Sequence, residues 1–365
     1  MKIAFFASSL VSAYWNGAAT YYRGMVRALH ERGHQVTFYE PDAFGRQQHR
    51  DIDDPPWARV VVYPATSEAD ALAAVQSARG ADLVVKASGV GVFDDVLEAA
   101  VLQLQGPNCR VVFWDVDAPA TLDRMQADTR DPLRALVPRY DMVLTYGGGE
   151  PVRNAYLSFG ARECVPIYNA LDPTTHYPVA HDPRFEADLA FLGNRLPDRE
   201  ARVDEFFLRA ATLLSGRRML LGGSGWEGKN LPAGVYYLGH VYTADHNAFN
   251  CTPLAVLNVS RESMARYGFS PATRVFEAAG AAACLITDAW EGLEMFLEPG
   301  TEVLVARDGE EVAQHVRRLD PATAHAIGQA AWRRVLAEHT YAHRAAQVEA
   351  LLEGSQSVGL AEASA

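Results

Sequence analysis

The chain has 365 residues, 49% of them apolar and 21% charged, enough for two to three hydrophobic cores and the balance of a soluble globular protein. A net charge of −12 argues against nucleic acid or an anionic membrane surface as the main partner. No apolar run approaches the roughly eighteen residues of a membrane span. Four cysteines, Cys109, Cys164, Cys251 and Cys284, lie far apart and outside any CxxC, which predicts reduced thiols in a cytoplasmic protein without a disulfide framework. The opening MKIAFFASSLVSAYW has too short an apolar core for a signal peptide and reads as a first strand.

In chain order, short apolar runs recur at 3–7, 36–39, 60–63, 83–85, 111–114, 142–145 and 164–168, with helical periodicity between them over 18–32, 68–78 and 93–104. Continuous apolar strands alternating with helices predict a parallel sheet covered on both faces. Such sheets bind ligands at the carboxyl ends of their strands, which singles out the loops 8–17, 86–91, 115–119, 146–149 and 169–172. In the first of these, Asn16 and Gly17 stand at a helix start and fit either an anion contact or a helix cap with its turn. No GxGxxG fingerprint is present, so NAD is not indicated. Asp115 and Asp117 directly follow the strand RVVFW. Two carboxylates at that spacing suit a DxD motif holding Mg²⁺ or Mn²⁺, an acceptor-side carboxylate, or a cap of the next helix. Alternation after Trp114 favours Asp117 as the one turned toward a ligand.

The proline-rich stretch 173–183 reads as a linker. Apolar runs restart at 188–192 and continue at 219–221, 235–238, 254–259, 284–287 and 303–305, which predicts a second domain of the same kind. The expected bounds are 1–175, 184–340, and a C-terminal helix with a loose tail over 341–365. None of the eleven histidines sits in a metal-ligand spacing, so no metal site is expected. The stretch 258–288, NVSRESMARYGFSPATRVFEAAGAAACLITD, reads as strand, polar loop, helix and strand. Its loop carries Arg261, Arg266, Tyr267 and Gly268. Ser270-Pro271 predicts a helix with Ser as N-cap and Pro at the first position, running to Gly280. On a 3.6-residue period Ser270, Arg274 and Glu277 share a face. A hydroxyl, a guanidinium and a carboxylate in that order suit a phosphate at the helix tip and a sugar diol below it; an ordinary surface Arg–Glu pair fits the spacing equally.

The motifs SPxxRxFE, LITD, EGLExF and PGxEVLV, in that order with a small-residue stretch after the first, carry a resemblance. This segment resembles the C-terminal half of CgeB-type glycosyltransferases, a branch near the retaining glycosyltransferase family 4. The resemblance implies the GT-B fold, two Rossmann-like domains with parallel sheets facing a cleft, with a nucleotide sugar held mainly by the C-terminal domain. It implies that Glu277 hydrogen-bonds the donor ribose and that Gly193, Asn194 and Arg195 hold the donor diphosphate, Arg195 being preferred to Arg199. Gly223 would lie under the nucleotide base, with Trp226 to stack on it, and His240 would edge the base. Asp117, or Asp115, would be the acceptor-side carboxylate. In one respect the sequence departs from the pattern: family 4 usually carries a first Glu eight residues before the second, and Phe269 stands there. Either Glu262 or a backbone group does its work, or sugar recognition differs.

The implied function is a metal-independent glycosyltransferase moving a sugar from a UDP-, GDP- or dTDP-linked donor to a small-molecule, glycan or protein acceptor, with retention at the anomeric carbon. The helix end at Ser270, with Arg195 and Arg274, would stabilise the departing diphosphate. The nucleotide sugar is a co-substrate, and no cofactor is implied. A catalytically silent GT-B sugar-binding module of a surface or spore-coat assembly is the alternative, motivated by the missing Glu. A sugar-nucleotide epimerase is a third reading. Pyridoxal phosphate chemistry is disfavoured because Lys229 is the only lysine of the C-terminal half.

Overall fold

The structure, a computed structural model, describes residues 1–362, with side chains through Glu353. It divides into two compact units, Met1–Tyr168 together with the chain from Tyr341 onward, and Asn169–Thr340.

The first unit is built on seven strands: β1 Lys2–Phe6, β2 Gln35–Asp42, β3 Arg59–Pro64, β4 Leu83–Ala87, β5 Arg110–Asp115, β6 Met142–Thr145 and β7 Cys164–Pro166. All pair in parallel, in the order β3-β2-β1-β4-β5-β6-β7. The apolar runs become strands because helices cover both faces, and β4 is buried along its whole length. Aromatic rings fill the core, with Phe5 stacked on Phe38 at 5.5 Å and Trp114 at 5.7 Å from Phe5. The helix Tyr341–Glu362 packs on the helix Ala19–Glu31, where a Cβ at Gly24 would lie 2.1 Å from the Tyr341 ring, so glycine is what lets the two approach. The expected loose tail over residues 354–365 lies outside the described side chains, and its last three residues lie outside the described chain.

The second unit holds six strands: β8 Leu189–Leu192, β9 Met219–Gly222, β10 Val235–Gly239, β11 Val256–Asn258, β12 Leu285–Asp288 and β13 Leu304–Ala306, in the order β10-β9-β8-β11-β12-β13 and again all parallel. Its core gathers Phe191, Phe207, Leu221, Trp226, Leu257 and Ile286. Residues 169–183 belong to this unit as a strap. Asn169 donates to the Pro271 carbonyl at 2.9 Å, Leu171 N–H to His339 O at 2.7 Å, and Asn247 to Thr175 O at 2.9 Å. These bonds tie the strap to the second unit, while most residues of the proline-rich stretch stay exposed. Both sheets reverse their strand order once, between β1 and β4 and between β8 and β11. Open α/β sheets bind ligands outside the carboxyl ends of the strands at such a reversal. In the second unit that point is framed by the loops 193–199 and 259–272. The fold is thus two Rossmann-like parallel-sheet units.

One buried charge cluster in the first unit yields a stability test. Lys86 of β4, fully buried, donates to Asp94 Oδ1 and to the Ala87 carbonyl, both at 2.7 Å, and lies 3.9 Å from Glu98 Oε1. Burial pushes the Glu98 carboxyl up to about 7 even though Lys86 pulls it down. The folded chain therefore keeps this proton to a higher pH than the unfolded chain does. The associated stability is present below the ordinary value of 4.5 and is lost as pH rises toward 7. Relative to Glu98→Gln, the wild type should lose on the order of 3 kcal/mol across that window in urea titrations, at about 1.4 kcal/mol per pH unit. Parallel pH profiles for the two proteins would show instead that Glu98 ionises normally.

Candidate functional site

The chain leaving β11 is held by one buried carboxylate. Asp288, fully buried at the end of β12, accepts from Ser260 N–H at 3.0 Å and Ser260 Oγ at 3.1 Å through Oδ1, and pairs through Oδ2 with Arg202 at 2.7 Å. Burial pushes this carboxyl up, and Arg202 and Ser260 pull it back. Where the sequence predicts a polar loop, a short helix Glu262–Tyr267 forms, its first N–H donating to Asp198 O at 3.0 Å. The chain then turns through Gly268 and Phe269, both in the left-handed region at φ 68° and 46°. Phe269 N–H donates to Glu291 O at 2.6 Å, and the missing Cβ of Gly292 makes room for the Phe269 ring, which would otherwise lie 2.2 Å from it. The residue at the departure from the family 4 pattern is thereby clamped to the EGLExF segment.

The helix cap differs from the expectation. The N-cap is Ala272, still extended at ψ 152°, and the helix is Thr273–Gly280. Ser270 is buried and spends its hydroxyl on Gly268 O at 2.8 Å, while the Pro271 carbonyl is held by Asn169. These ties keep Ser270-Pro271 extended, so Ser270 is neither the cap nor on the face of Arg274 and Glu277.

The loops after β8 and β9 are laced together. Gly193 N–H donates to Gly222 O at 3.0 Å, Ser224 N–H to Asn194 Oδ1 at 2.9 Å, and Trp226 Nε1 to Gly193 O at 2.8 Å. Gly223 has φ 114°, and a Cβ there would lie 2.3 Å from Gly193 O. The missing Cβ of Gly223 thus lets the two loops approach closely, and the Asn194 side chain ties them. Trp226 is 1% exposed, a core residue and not a stacking surface. Arg195 lies half-exposed with its guanidinium on Glu200 at 2.6 Å and near Gly225 O at 3.4 Å. His240 is exposed after β10, edge-on to Tyr242 at 4.8 Å, and Tyr267 is half-buried beneath Arg266, whose guanidinium lies 5.4 Å from the ring.

Arg199 is different. Its Nε is buried and has no hydrogen-bond partner among the described residues. Burial lowers this guanidinium to about 10; Asp198 opposes the fall, and the like charges of Arg261 and Arg274 add to it. It is no helix-surface charge. Arg261 donates to Asp198 at 2.5 Å. Arg274 lies 3.6 Å from Glu277 Oε2 and donates to Asn250 Oδ1 at 3.3 Å, while its own Nε and the Asn250 amide nitrogen are also buried without partners among the described residues. Buried donors are almost always satisfied in folded proteins, and three such donors beside clustered guanidinium groups would suit an oxygen-rich anion. Asn250 carries no sequence signal; only the fold brings it here.

Glu277 is 8% exposed. Burial pushes its carboxyl up, but Arg274, His176 and His246 together hold it below the usual range. His176 Nε2 lies 4.0 Å from Glu277 Oε1. Neither histidine was legible as a partner, because the strap and the helix His246–Cys251 bring them together from distant parts of the sequence.

In the first unit, Asn16 is buried and fully used inside its own loop. Its oxygen accepts from Ser8 at 2.9 Å, and its amide donates to Ser9 O and Ser12 O at 2.8 and 3.0 Å. The helix begins only at Ala19, and Gly17 is exposed before it. This loop is braced by Asn16 rather than opened to an anion by it. Asp115 is fully buried; Oδ1 accepts from Ser88 at 2.7 Å, Asp117 N–H at 3.0 Å and Thr121 at 3.1 Å, and Oδ2 accepts from Tyr156. Both oxygens are committed, which removes Asp115 as a ligand of a DxD motif. Asp117 is half-buried at the N-cap of the helix Ala118–Ala127, and its side chain makes no capping bond there.

Residues 199–350 match the family described as Glycosyl transferase-like. No curated protein matches the chain by sequence. Among solved structures, the sucrose-phosphate synthase of Thermosynechococcus elongatus is similar at 17% identity and TM-score 0.72, covering 98% of this chain and 100% of that one. The HepE protein of Anabaena in complex with UDP and glucose is similar at 15% identity and TM-score 0.67, covering 97% and 100%. An E. coli trehalose-6-phosphate structure bound with UDP-2-fluoro glucose follows at 11% identity and TM-score 0.69, covering 96% and 99%. The likeness at these identities is one of fold: the chain has the GT-B fold.

The two aspartates make different predictions. Asp115→Ala strands four donors in a dry site and should lower the unfolding free energy by about 2–4 kcal/mol in urea titration. Asp117→Ala should lower it by about 1 kcal/mol at most. Equal losses would mean that both carboxylates serve the fold.

Proposed function

We propose that the second unit holds a nucleoside diphosphate sugar and that the chain is a metal-independent glycosyltransferase, CgeB-like and near the retaining family 4. The observation that carries this reading is the group of buried, partnerless donors on Arg199, Arg274 and Asn250 at the strand-order reversal of the second sheet. A diphosphate supplies the acceptors these groups lack, and the first turn of the helix Thr273–Gly280 adds its N–H groups and dipole. As the glycosidic bond breaks, negative charge grows on the leaving diphosphate; guanidinium groups already held together stabilise that charge without having to gather. The Glu277 carboxylate, kept ionised by its neighbours, accepts hydrogen bonds from the ribose hydroxyls. Asp117, at the N-cap of the helix Ala118–Ala127 and at the carboxyl end of β5, is the acceptor-side group. UDP is the first donor nucleotide to test, since HepE is described with UDP-glucose.

On this reading Arg199 ranks above Arg195, because its buried Nε lacks a partner among the described residues while Arg195 is paired with Glu200. In calorimetric titration with UDP in the presence of a chelator, wild type should bind. Arg199→Gln should weaken binding by about ten- to a hundredfold, the worth of a charge-assisted hydrogen bond. Arg195→Gln should change it by about twofold at most, since Arg195 is already paired with Glu200. Binding that appears only with Mg²⁺, or loss in Arg195→Gln alone, would contradict the assignment. Glu277→Gln should weaken UDP by about tenfold but leave 2′,3′-dideoxy-UDP unchanged. A purely structural Glu277 would weaken both equally.

A further inference from the structure

We infer that His176, His246 and Glu277 form a binding site for a borderline divalent transition-metal ion of the Zn²⁺ class. One ligand atom from each lies within 4.8 Å of the others. In tetrahedral zinc sites such atoms stand roughly 3.3 Å apart, so small side-chain rotations close the set. His176 and Glu277 are 5% and 8% exposed, which shields an ion from bulk water.

The surroundings orient each ligand. His176 Nδ1 is 2.9 Å from Thr175 Oγ1, leaving Nε2 toward Glu277. His246 Nε2 is 3.2 Å from the Val241 carbonyl, which fixes that ring through one nitrogen and leaves the other for an ion. The second oxygen of Glu277 is steered by Arg274 at 3.6 Å. A histidine held by one ring nitrogen while the other coordinates, and a carboxylate braced by a neighbour, are the usual supports of a metal centre. The three ligands also come from elements pinned to one another. A Cβ on Gly280, in the helix of Glu277, would lie 2.3 Å from Leu171 and 3.2 Å from His176 O, so the strap sits directly on that helix. Two imidazoles and one carboxylate suit Zn²⁺ or Co²⁺ rather than Mg²⁺ or Ca²⁺, which demand oxygen ligands. Three protein ligands leave a fourth position open. The Arg274 charge opposes a cation, so the site is expected to exchange its ion rather than hold it permanently.

The site uses Glu277 but not the donor reading, and it is tested without nucleotide. Metal-free full-length chain is titrated with Co²⁺, whose visible d–d bands report tetrahedral coordination, and the bands are then displaced with Zn²⁺. One Co²⁺ per chain is expected. His176→Ala and His246→Ala should each weaken it at least tenfold, while His325→Ala, at an exposed position, leaves it unchanged. Should an alanine variant melt early, His246→Gln replaces it, since glutamine still donates to the Val241 carbonyl. Absence of d–d bands, or a Co²⁺ affinity equal in wild type and both histidine variants, would overturn the site. UDP titration in chelator reads the donor site separately, so either can fail alone.

Discussion

The candidate site depends on three guanidinium groups gathered in one place, where the charges of Arg261 and Arg274 help to lower Arg199. Arg199, Arg261 and Arg274 come from three different segments, with Asp198 and Glu277 as their nearby counter-charges. Like charges gathered in a half-dry place repel, and the rest of the second unit has to hold them. It does so with fixed hydrogen bonds rather than with more carboxylates. The loop after β8 is laced to the loop after β9, the chain after β11 is tied to Asp288, and Phe269 is clamped against Gly292. On the proposed reading, an arriving diphosphate would relieve that repulsion, which is how a preorganised site favours charge that develops during a reaction.

The two units use the same device to set their loops. In each, a strand ends in a fully buried aspartate that accepts a serine hydroxyl from the loop after the neighbouring strand: Asp115 of β5 takes Ser88, and Asp288 of β12 takes Ser260. Burial pushes both carboxyls up, and the hydrogen bonds they accept pull them back. A carboxylate with all its lone pairs committed is a rigid crosslink, since losing any one partner leaves a buried charge short of a hydrogen bond. This accounts for aspartates at strand ends that look like catalytic groups and serve instead to place the loops that carry them.

All thirteen strands were legible because a parallel sheet covered on both faces demands continuous apolar runs. The site was legible only where its signal is local. Arg274 and Glu277, three residues apart on one helix, could be read as neighbours. Ser270 could not be placed, because its hydroxyl and Pro271 are captured by Gly268 and Asn169 in the folded chain. Trp226 read as a stacking surface among glycines, but those glycines let one loop close on another and the ring falls into the core. The surroundings of Arg195 and Arg199 were not legible for the same reason: whether a guanidinium is paired with Glu200 or buried beside other arginines depends on long-range packing. Asn250, His176 and His246 had no local signal at all.

Backbone hydrogen exchange with and without UDP tests the central claim most directly. If the arginine cluster holds the diphosphate, UDP should slow exchange at the amides of residues 193–199 and through the first turn of the helix Thr273–Gly280, because a bound anion both occupies those N–H groups and rigidifies the loops around them. Saturating UDP that left both segments unchanged, while protecting only the loops 8–17 and 88–91 of the first unit, would contradict the account.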